Sequence, residues 1–134
     1  MRAWSLWSFT AVFAALTLGG GTPAGAQAPS PVKVDSSLAA WGKRIWNTKQ
    51  CFGCHQLGKA QSTGPDLIGV TDRRTTDWIQ KWLTDPVGMT ATDSIAAALK
   101  KQYKTQMPNL NISAHDIDGL INFLAQQTAS HGAK

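Results

Sequence analysis

The sequence predicts an all-α domain with about four short helices joined by long loops. Apolar side chains recur at three- and four-residue steps in four separate segments, which is the spacing of a helix face. No stretch alternates apolar and polar residues as a half-buried strand would, and no internal repeat is visible. Residues 36–128 hold all four segments, so we expect them to form one small domain.

The first helix begins after Asp35 or Ser36, either of which can cap it. Gly42 lies within the helix and lacks a side chain, so we expect the last helix to approach it closely near Leu120 and Phe123. The apolar residues of this first helix are Leu38, Trp41, Ile45 and Trp46.

Two further helices are predicted in the middle of the chain. A turn-rich stretch, residues 56–74, precedes a helix over 75–84, which we expect to end at Asp85 because Pro86 disfavours helical geometry in the residue before it. Residues 86–90 are then predicted to be a loop. The next helix begins at a cap on Thr92 or Asp93 and runs to Tyr103.

The last helix has the clearest sequence evidence. Ser113 and Asp116 have the spacing of a capping box, and the apolar residues Ile117, Leu120, Ile121 and Leu124 follow. We expect this helix to fray into a flexible tail over residues 129–134.

The N-terminal region resembles an export signal. A single charge at Arg2 precedes an apolar run, and Ala24-Gly25-Ala26 fits the small-x-small cleavage rule. Residues 1–26 are therefore predicted to be a signal peptide, residues 27–35 an extended leader, and the mature protein periplasmic. The alternative is that residues 1–26 are retained and anchor the protein in the membrane.

Cys51-Phe52-Gly53-Cys54-His55 has the C-x-x-C-H spacing at which two thiols bond covalently to one haem c and the histidine reaches its iron. A redox disulfide and a zinc site are the alternatives. A redox disulfide of this spacing normally lies beside a βαβ pattern, which the sequence lacks. A zinc site would need a further ligand from His115 or His131, and neither lies at a recognised zinc-site spacing from the motif. Haem attachment is therefore the favoured interpretation.

A six-coordinate haem iron needs a second ligand, and the candidates are Met89, Met107, His115 and His131. Met107 is favoured because it is followed by a proline in an irregular segment between two helices, and such a segment can fold over a haem face. Met89 is the main rival, in the predicted 86–90 loop. His115 is expected to face solvent, and His131 to lie in the tail.

Taken together, these motifs resemble the class I, mitochondrial-type cytochromes c, in the small monohaem bacterial branch. The resemblance covers most of residues 36–128 and implies the cytochrome c fold around one covalent haem. It implies that Cys51 and Cys54 hold the haem, that His55 and Met107 are the axial ligands, and that the Pro65 carbonyl accepts a hydrogen bond from the His55 ring. By the same resemblance, Trp82 is similar in position to a haem-lining aromatic, whereas Trp78 fits the core equally well. The matching segments are Gly42 before the C-x-x-C-H motif, Gly64-Pro65-Asp66-Leu67, Trp82-Leu83-Thr84-Asp85-Pro86 and Met107-Pro108-Asn109-Leu110.

With both axial positions filled by the protein, the expected function is single-electron transfer between redox partners of a respiratory or related chain, without substrate chemistry of its own. Two alternatives stay open. One is a membrane-tethered cytochrome c subunit of a larger redox complex. The other is a haem sensor or peroxidase with an open distal site.

The charge balance suggests what kind of partner the protein meets. Thirteen Lys and Arg against eight acidic residues give a net charge of +5, so we expect partners with acidic docking surfaces, such as an oxidase, a reductase or a dehydrogenase. No dense basic run or binding motif indicates nucleic acid. Membrane contact is expected only through partners or an uncleaved N-terminus. The cations either surround an exposed haem edge or are simply solvated; they are Lys43, Arg44, Lys49, Lys59, Lys81, Lys100, Lys101 and Lys104.

Overall fold

The computed structural model describes residues 29–59 and 62–132, and within these ranges every regular element is helical. The predicted all-α class is confirmed, but the described residues form six α-helices rather than about four. They are α1 (Ser36–Thr48), α2 (Val70–Arg73), α3 (Thr76–Thr84), α4 (Pro86–Thr92), α5 (Ser94–Tyr103) and α6 (Ala114–Gly132), with a 3₁₀ turn at Cys51–Gly53 between α1 and α2.

The crossing of α1 and α6 forms the main core. Asp35 caps α1 by accepting hydrogen bonds from the backbone N–H groups of Ser37 and Leu38 at 2.8 and 3.0 Å. Trp46 and Phe123 pack with ring centroids 5.8 Å apart. The buried members of this core are Ile45, Trp46, Leu120, Phe123 and Leu124. Because α1 ends at Thr48, this packing fixes where the chain enters the C-x-x-C-H motif.

A second, smaller cluster joins α3 to the other side of α6. It contains Ile79, Ile117 and Ile121, and Val32 from the segment before α1 packs against it. The backbone N–H of Asp35 also donates to the side-chain oxygen of Asn122 at 2.8 Å. The described part of the predicted leader therefore lies on the domain.

The predicted loop over residues 86–90 is wrong, because these residues belong to α4. Pro86 does end α3, but it also occupies the first turn of α4, where its missing N–H costs nothing. Asp85 caps the new helix by accepting from the Gly88 N–H at 2.9 Å. Within the predicted turn-rich stretch 56–74, the four-residue helix α2 is also an addition.

The predicted end of the last helix is also corrected. Ser113 caps the helix as expected, because its hydroxyl oxygen accepts from the Asp116 backbone N–H at 3.3 Å, and the same hydroxyl donates to the Asp116 carboxylate at 2.8 Å. The helix then continues to Gly132, so residues 129–132 are helical rather than part of a tail. The predicted signal peptide lies outside the described residues. No described helix has the length and apolar character needed to cross a membrane.

Candidate haem-binding site

One cavity of about 820 Å³ opens beside the C-x-x-C-H motif, and its size is within the range of ligand pockets, roughly 300–1,000 Å³. Its walls come from the motif, the loop after it, α3, the end of α5 and the segment that follows α5. The apolar wall residues include Trp46, Leu67, Val70, Ile79, Leu83, Leu120 and Leu124. A flat, mostly apolar macrocycle fits such a space.

The attachment motif forms part of the lining of this cavity. The 3₁₀ turn folds back so that the His55 N–H donates to the Cys51 carbonyl at 2.9 Å. Cys51 is half-buried, Cys54 is exposed, and both thiols are free. Burial raises the pKa of the Cys51 thiol, which keeps it protonated. The turn therefore presents two thiols and an imidazole to the same cavity.

His55 is held by a contact to the loop that follows the motif. Its Nδ1 lies 2.9 Å from the Pro65 carbonyl oxygen, which is the contact that the family resemblance implied. With Nδ1 as the donor, Nε2 keeps its lone pair for a metal. Burial lowers the pKa of His55, and the bond to Pro65 opposes this in part. The imidazole is thus kept neutral and oriented, as an iron ligand requires.

Gly64 lets this loop lie close to the ring. Its N–H donates to the Cys54 carbonyl at 2.8 Å, and a Cβ atom there would lie only 2.8 Å from the His55 ring. No larger residue would fit without movement of the ring.

Asp66 holds the loop in shape. Its carboxylate accepts three backbone N–H bonds, from Gly58 at 2.7 Å, Lys59 at 2.9 Å and Ile68 at 2.8 Å. These bonds connect residues 58–59 with residues 66–68, and Pro65 lies between the two segments. The sequence pattern did not predict this role of Asp66, because the three donors come from two separate stretches of the chain.

Met107 lines the cavity from the irregular segment of residues 104–112, which we call the distal strap. Its side chain is half-buried, and its sulfur accepts a hydrogen bond from the indole N–H of Trp82 at 3.1 Å. Nothing in the sequence pattern indicated this pairing of α3 with the strap.

Side-chain amides on both sides of Met107 fasten the strap to the junction of α3 and α4. The Gln106 amide donates to the Pro86 carbonyl at 3.3 Å, and the Asn109 amide donates to the Thr84 carbonyl at 3.1 Å. At the far end, the Lys49 ammonium donates to the Leu110 carbonyl at 2.9 Å and so ties the strap to the residue after α1. The position of Met107 is therefore fixed by both of its flanks.

The other three candidates for the second ligand do not line this cavity. Met89 is on α4 and borders a separate surface groove. His115 is exposed, as expected, with its ring centroid 5.7 Å from that of Trp41. His131 is exposed on α6 beside Gly58. Of the four candidates, only Met107 shares the cavity with His55.

Trp82 and Trp78 both line the cavity, so Trp78 is not only a core residue. Their rings are stacked, with centroids 5.6 Å apart and planes 9° apart. The Trp78 indole donates to Asp93 at 3.2 Å, and the Arg74 guanidinium lies 5.4 Å from the Trp78 ring centroid. Both of these contacts hold Trp78, on whose ring Trp82 is stacked.

Among the described residues, five cations line the cavity, namely Lys49, Lys59, Arg73, Arg74 and Lys100. Three of them were among the eight predicted to surround a haem edge; the two arginines were missed. The remaining predicted cations, Lys43, Arg44, Lys81, Lys101 and Lys104, are not part of the cavity lining. Three of the eight cations named from the sequence therefore lie at the site.

The helical fold, the tethering motif and the cavity together define a protein that carries a covalently attached haem. A family model for cytochrome c matches residues 39–128, and the chain belongs to the cytochrome c family. Its cofactor is haem c, bound covalently, and Cys51 and Cys54 fit the attachment motif. Membership of this family supports a role in haem-based electron transfer.

Solved structures agree with this assignment. A cytochrome c from Rhodothermus marinus is 28% identical, with a TM-score of 0.69 over 73% of this chain and 83% of that one. An engineered cytochrome c from the same organism, bound to a carbene intermediate, is 27% identical, with a TM-score of 0.65 over 77% and 88%. A cytochrome c domain from Pseudomonas putida is 35% identical, with a TM-score of 0.58 over 66% and 88%. No curated protein matches the chain.

Proposed function

We propose that this chain is a periplasmic single-electron carrier whose haem iron cycles between Fe(III) and Fe(II), with His55 and Met107 as its axial ligands. The observation that carries the proposal is that these two residues line the same cavity and that the side chain of each is held by a hydrogen bond. A carrier needs both axial positions filled by the protein, so that no substrate reaches the metal.

Each site residue has a distinct task in this proposal. The Cys51 and Cys54 thiols form the two covalent attachments, and Pro65 orients the His55 ring by accepting its Nδ1 proton. The Met107 thioether closes the distal position from the strap. Haem c, when bound, supplies a one-electron iron couple, and a thioether ligand in an apolar cavity favours its ferrous state.

The partners we propose are redox proteins with acidic docking surfaces, such as an oxidase, a reductase or a dehydrogenase. The support is the group of five cations that line the cavity, next to the exposed side chains of Phe52 and Cys54. Opposite charge of this kind speeds the encounter of transient redox partners and weakens with added salt. Export to the periplasm is supported by the signal-like sequence of residues 1–26.

The test separates a carrier from a sensor or peroxidase. The haem-loaded protein is titrated with redox mediators, and the reduced form is then exposed to carbon monoxide. A reversible one-electron curve at positive potential, with a reduced spectrum that carbon monoxide leaves unchanged, supports the carrier. Rapid binding of carbon monoxide would overturn it and favour the open distal site.

A further inference from the structure

We propose that Lys49 is a positioning residue that acts through the distal strap: its ammonium group holds the strap closed over the cavity and so limits how readily Met107 leaves the iron. This inference rests on the proposed function, because it takes Met107 as the distal ligand. It concerns what keeps that ligand in place.

The ammonium group of Lys49 bonds to two successive carbonyls at the C-terminal end of the strap. It donates to the Leu110 carbonyl at 2.9 Å and, more weakly, to the Asn111 carbonyl at 3.5 Å. These acceptors lie 61 and 62 positions further along the chain, so the contact is tertiary. Hydrogen bonds from a charged donor are roughly twice as strong as those between neutral groups.

The core, rather than the strap, fixes the position of Lys49. This residue caps the C-terminus of α1, where its backbone N–H donates to the Ile45 carbonyl at 2.9 Å. Ile45 and the neighbouring Trp46 are buried in the core that α1 forms with α6. The attachment motif begins at Cys51, just after Lys49, and both residues line the cavity. The ammonium group therefore links the strap to the stretch of chain that tethers the haem.

The backbone at this end of the strap depends on side-chain contacts. Asn111 has a φ of 48°, in the left-handed region that residues with a side chain rarely adopt. The Leu110 and Asn111 carbonyls belong to the two peptide groups that flank the Asn111 Cα atom, so Lys49 bonds to both of them. The Asn109 side chain holds the same turn by accepting from the Asn111 N–H at 2.9 Å. The turn is thus held by an amide and by a cation.

A strap that opens releases Met107, and a small ligand can then take its place on the iron. The Gln106 and Asn109 amides bind the strap to the junction of α3 and α4, whereas Lys49 binds it to the end of α1. Loss of the Lys49 contact frees the strap from α1, so the open form becomes more populated. Added imidazole binds the iron only in the open form, and its apparent affinity therefore measures that population.

The experiment compares Lys49→Met with Lys43→Met in the ferric, haem-loaded protein, at a pH above the pKa of imidazole. Both substitutions remove one lysine charge, but Lys43 is exposed on α1 and does not line the cavity. Loss of a charge-assisted hydrogen bond should raise the apparent affinity of Lys49→Met for imidazole roughly five- to thirtyfold, and Lys43→Met should keep the affinity of the unsubstituted protein. An unchanged affinity in Lys49→Met, or an equal rise in both variants, overturns the inference.

Two further readouts separate positioning of the strap from general stabilisation. Lys49→Arg keeps a cation that can donate to the same carbonyls, so it should retain most of the resistance to imidazole. Backbone hydrogen exchange in Lys49→Met should be faster over residues 104–112 but unchanged in α1 and α6. Equal acceleration across the whole domain, or an imidazole affinity of Lys49→Arg as high as that of Lys49→Met, contradicts the role proposed for Lys49.

A measurement on the unsubstituted protein covers the case in which Lys49→Met does not fold. Opening of the strap breaks the Lys49 contact, so imidazole should raise the rate at which acetic anhydride acetylates Lys49 and leave that of Lys43 unchanged. Peptide mass spectrometry measures both rates, and a Lys49 rate that imidazole does not change overturns the role of Lys49 alone. Absence of the sulfur-to-iron absorption before imidazole is added would show instead that Met107 is not the ligand, so the proposed function itself would fail.

Discussion

Gly42 on α1 lies directly against the backbone of Gly119 on α6. A Cβ atom on Gly42 would overlap the Gly119 carbonyl, and one on Gly119 would lie 3.1 Å from the Gly42 nitrogen. The two helices therefore touch backbone to backbone at this point. The close crossing sets the path of α1 and, through it, the position of the attachment motif.

Gly42→Ala should destabilise the protein by about 1–3 kcal/mol, because the added methyl group forces the two helices apart. The free energy of unfolding of the haem-loaded protein, measured with denaturant, tests this. Gly132→Ala is the matched control, since Gly132 is also a helical glycine but no atom of the described residues lies within 4 Å of the new Cβ. Equal stability of Gly42→Ala and the unsubstituted protein would contradict the observed crossing.

Met107→Ala should remove the weak sulfur-to-iron charge-transfer absorption, lower the midpoint potential and open the ferrous iron to carbon monoxide. The physical reason is that a thioether favours Fe(II) and closes the sixth position. Optical spectra and a redox titration measure all three changes.

Met89→Ala is the matched control, because Met89 lies on α4 outside the cavity. It should leave the spectrum and the potential as they are. The reverse pattern in the two variants would show that the ligand is Met89. No change in either variant would mean that neither methionine is bound to the iron.

Asp116→Asn should make the unfolding free energy of the protein less sensitive to acid. The Ser113 hydroxyl, and after it the Trp41 indole, holds the pKa of Asp116 below its ordinary value of 3.8. A lowered pKa in the folded state adds stability above the ordinary value, and this stability is lost as the pH falls through the folded pKa. Unfolding free energies between about pH 5 and pH 3 should therefore fall less steeply in the variant. Trp41→Phe should reduce the slope by a smaller amount, and unchanged slopes in both variants would refute the assignment.

The local features of the site could be predicted from the sequence because their partners are near in the chain. Cys51, Cys54 and His55 form one pentapeptide, and the capping residues Asp35 and Ser113 act within their own first turns. The face of α6 follows a helical period. Such patterns need no knowledge of the tertiary structure.

The remaining features depend on contacts that periodicity does not encode. Pro86 was interpreted only as the end of a helix, although a proline also suits the first turn of the next one. Gly119 and the Trp82 contact to Met107 join elements far apart in sequence. The four-residue helix α2 is too short to show a period.

The arrangement of the two proposed iron ligands has a consequence for folding. His55 is part of the tethering turn, whereas Met107 follows 52 residues later on the distal strap. Binding of both to one iron would close that stretch of chain into a ring, as a disulfide would. The chain-entropy model gives about 4 kcal/mol for a ring of this size, an amount comparable to the whole stability of many small domains. The same sulfur that sets the redox properties would then also act as a reversible cross-link, so exchange of the distal ligand and partial unfolding of the domain would be one coupled equilibrium.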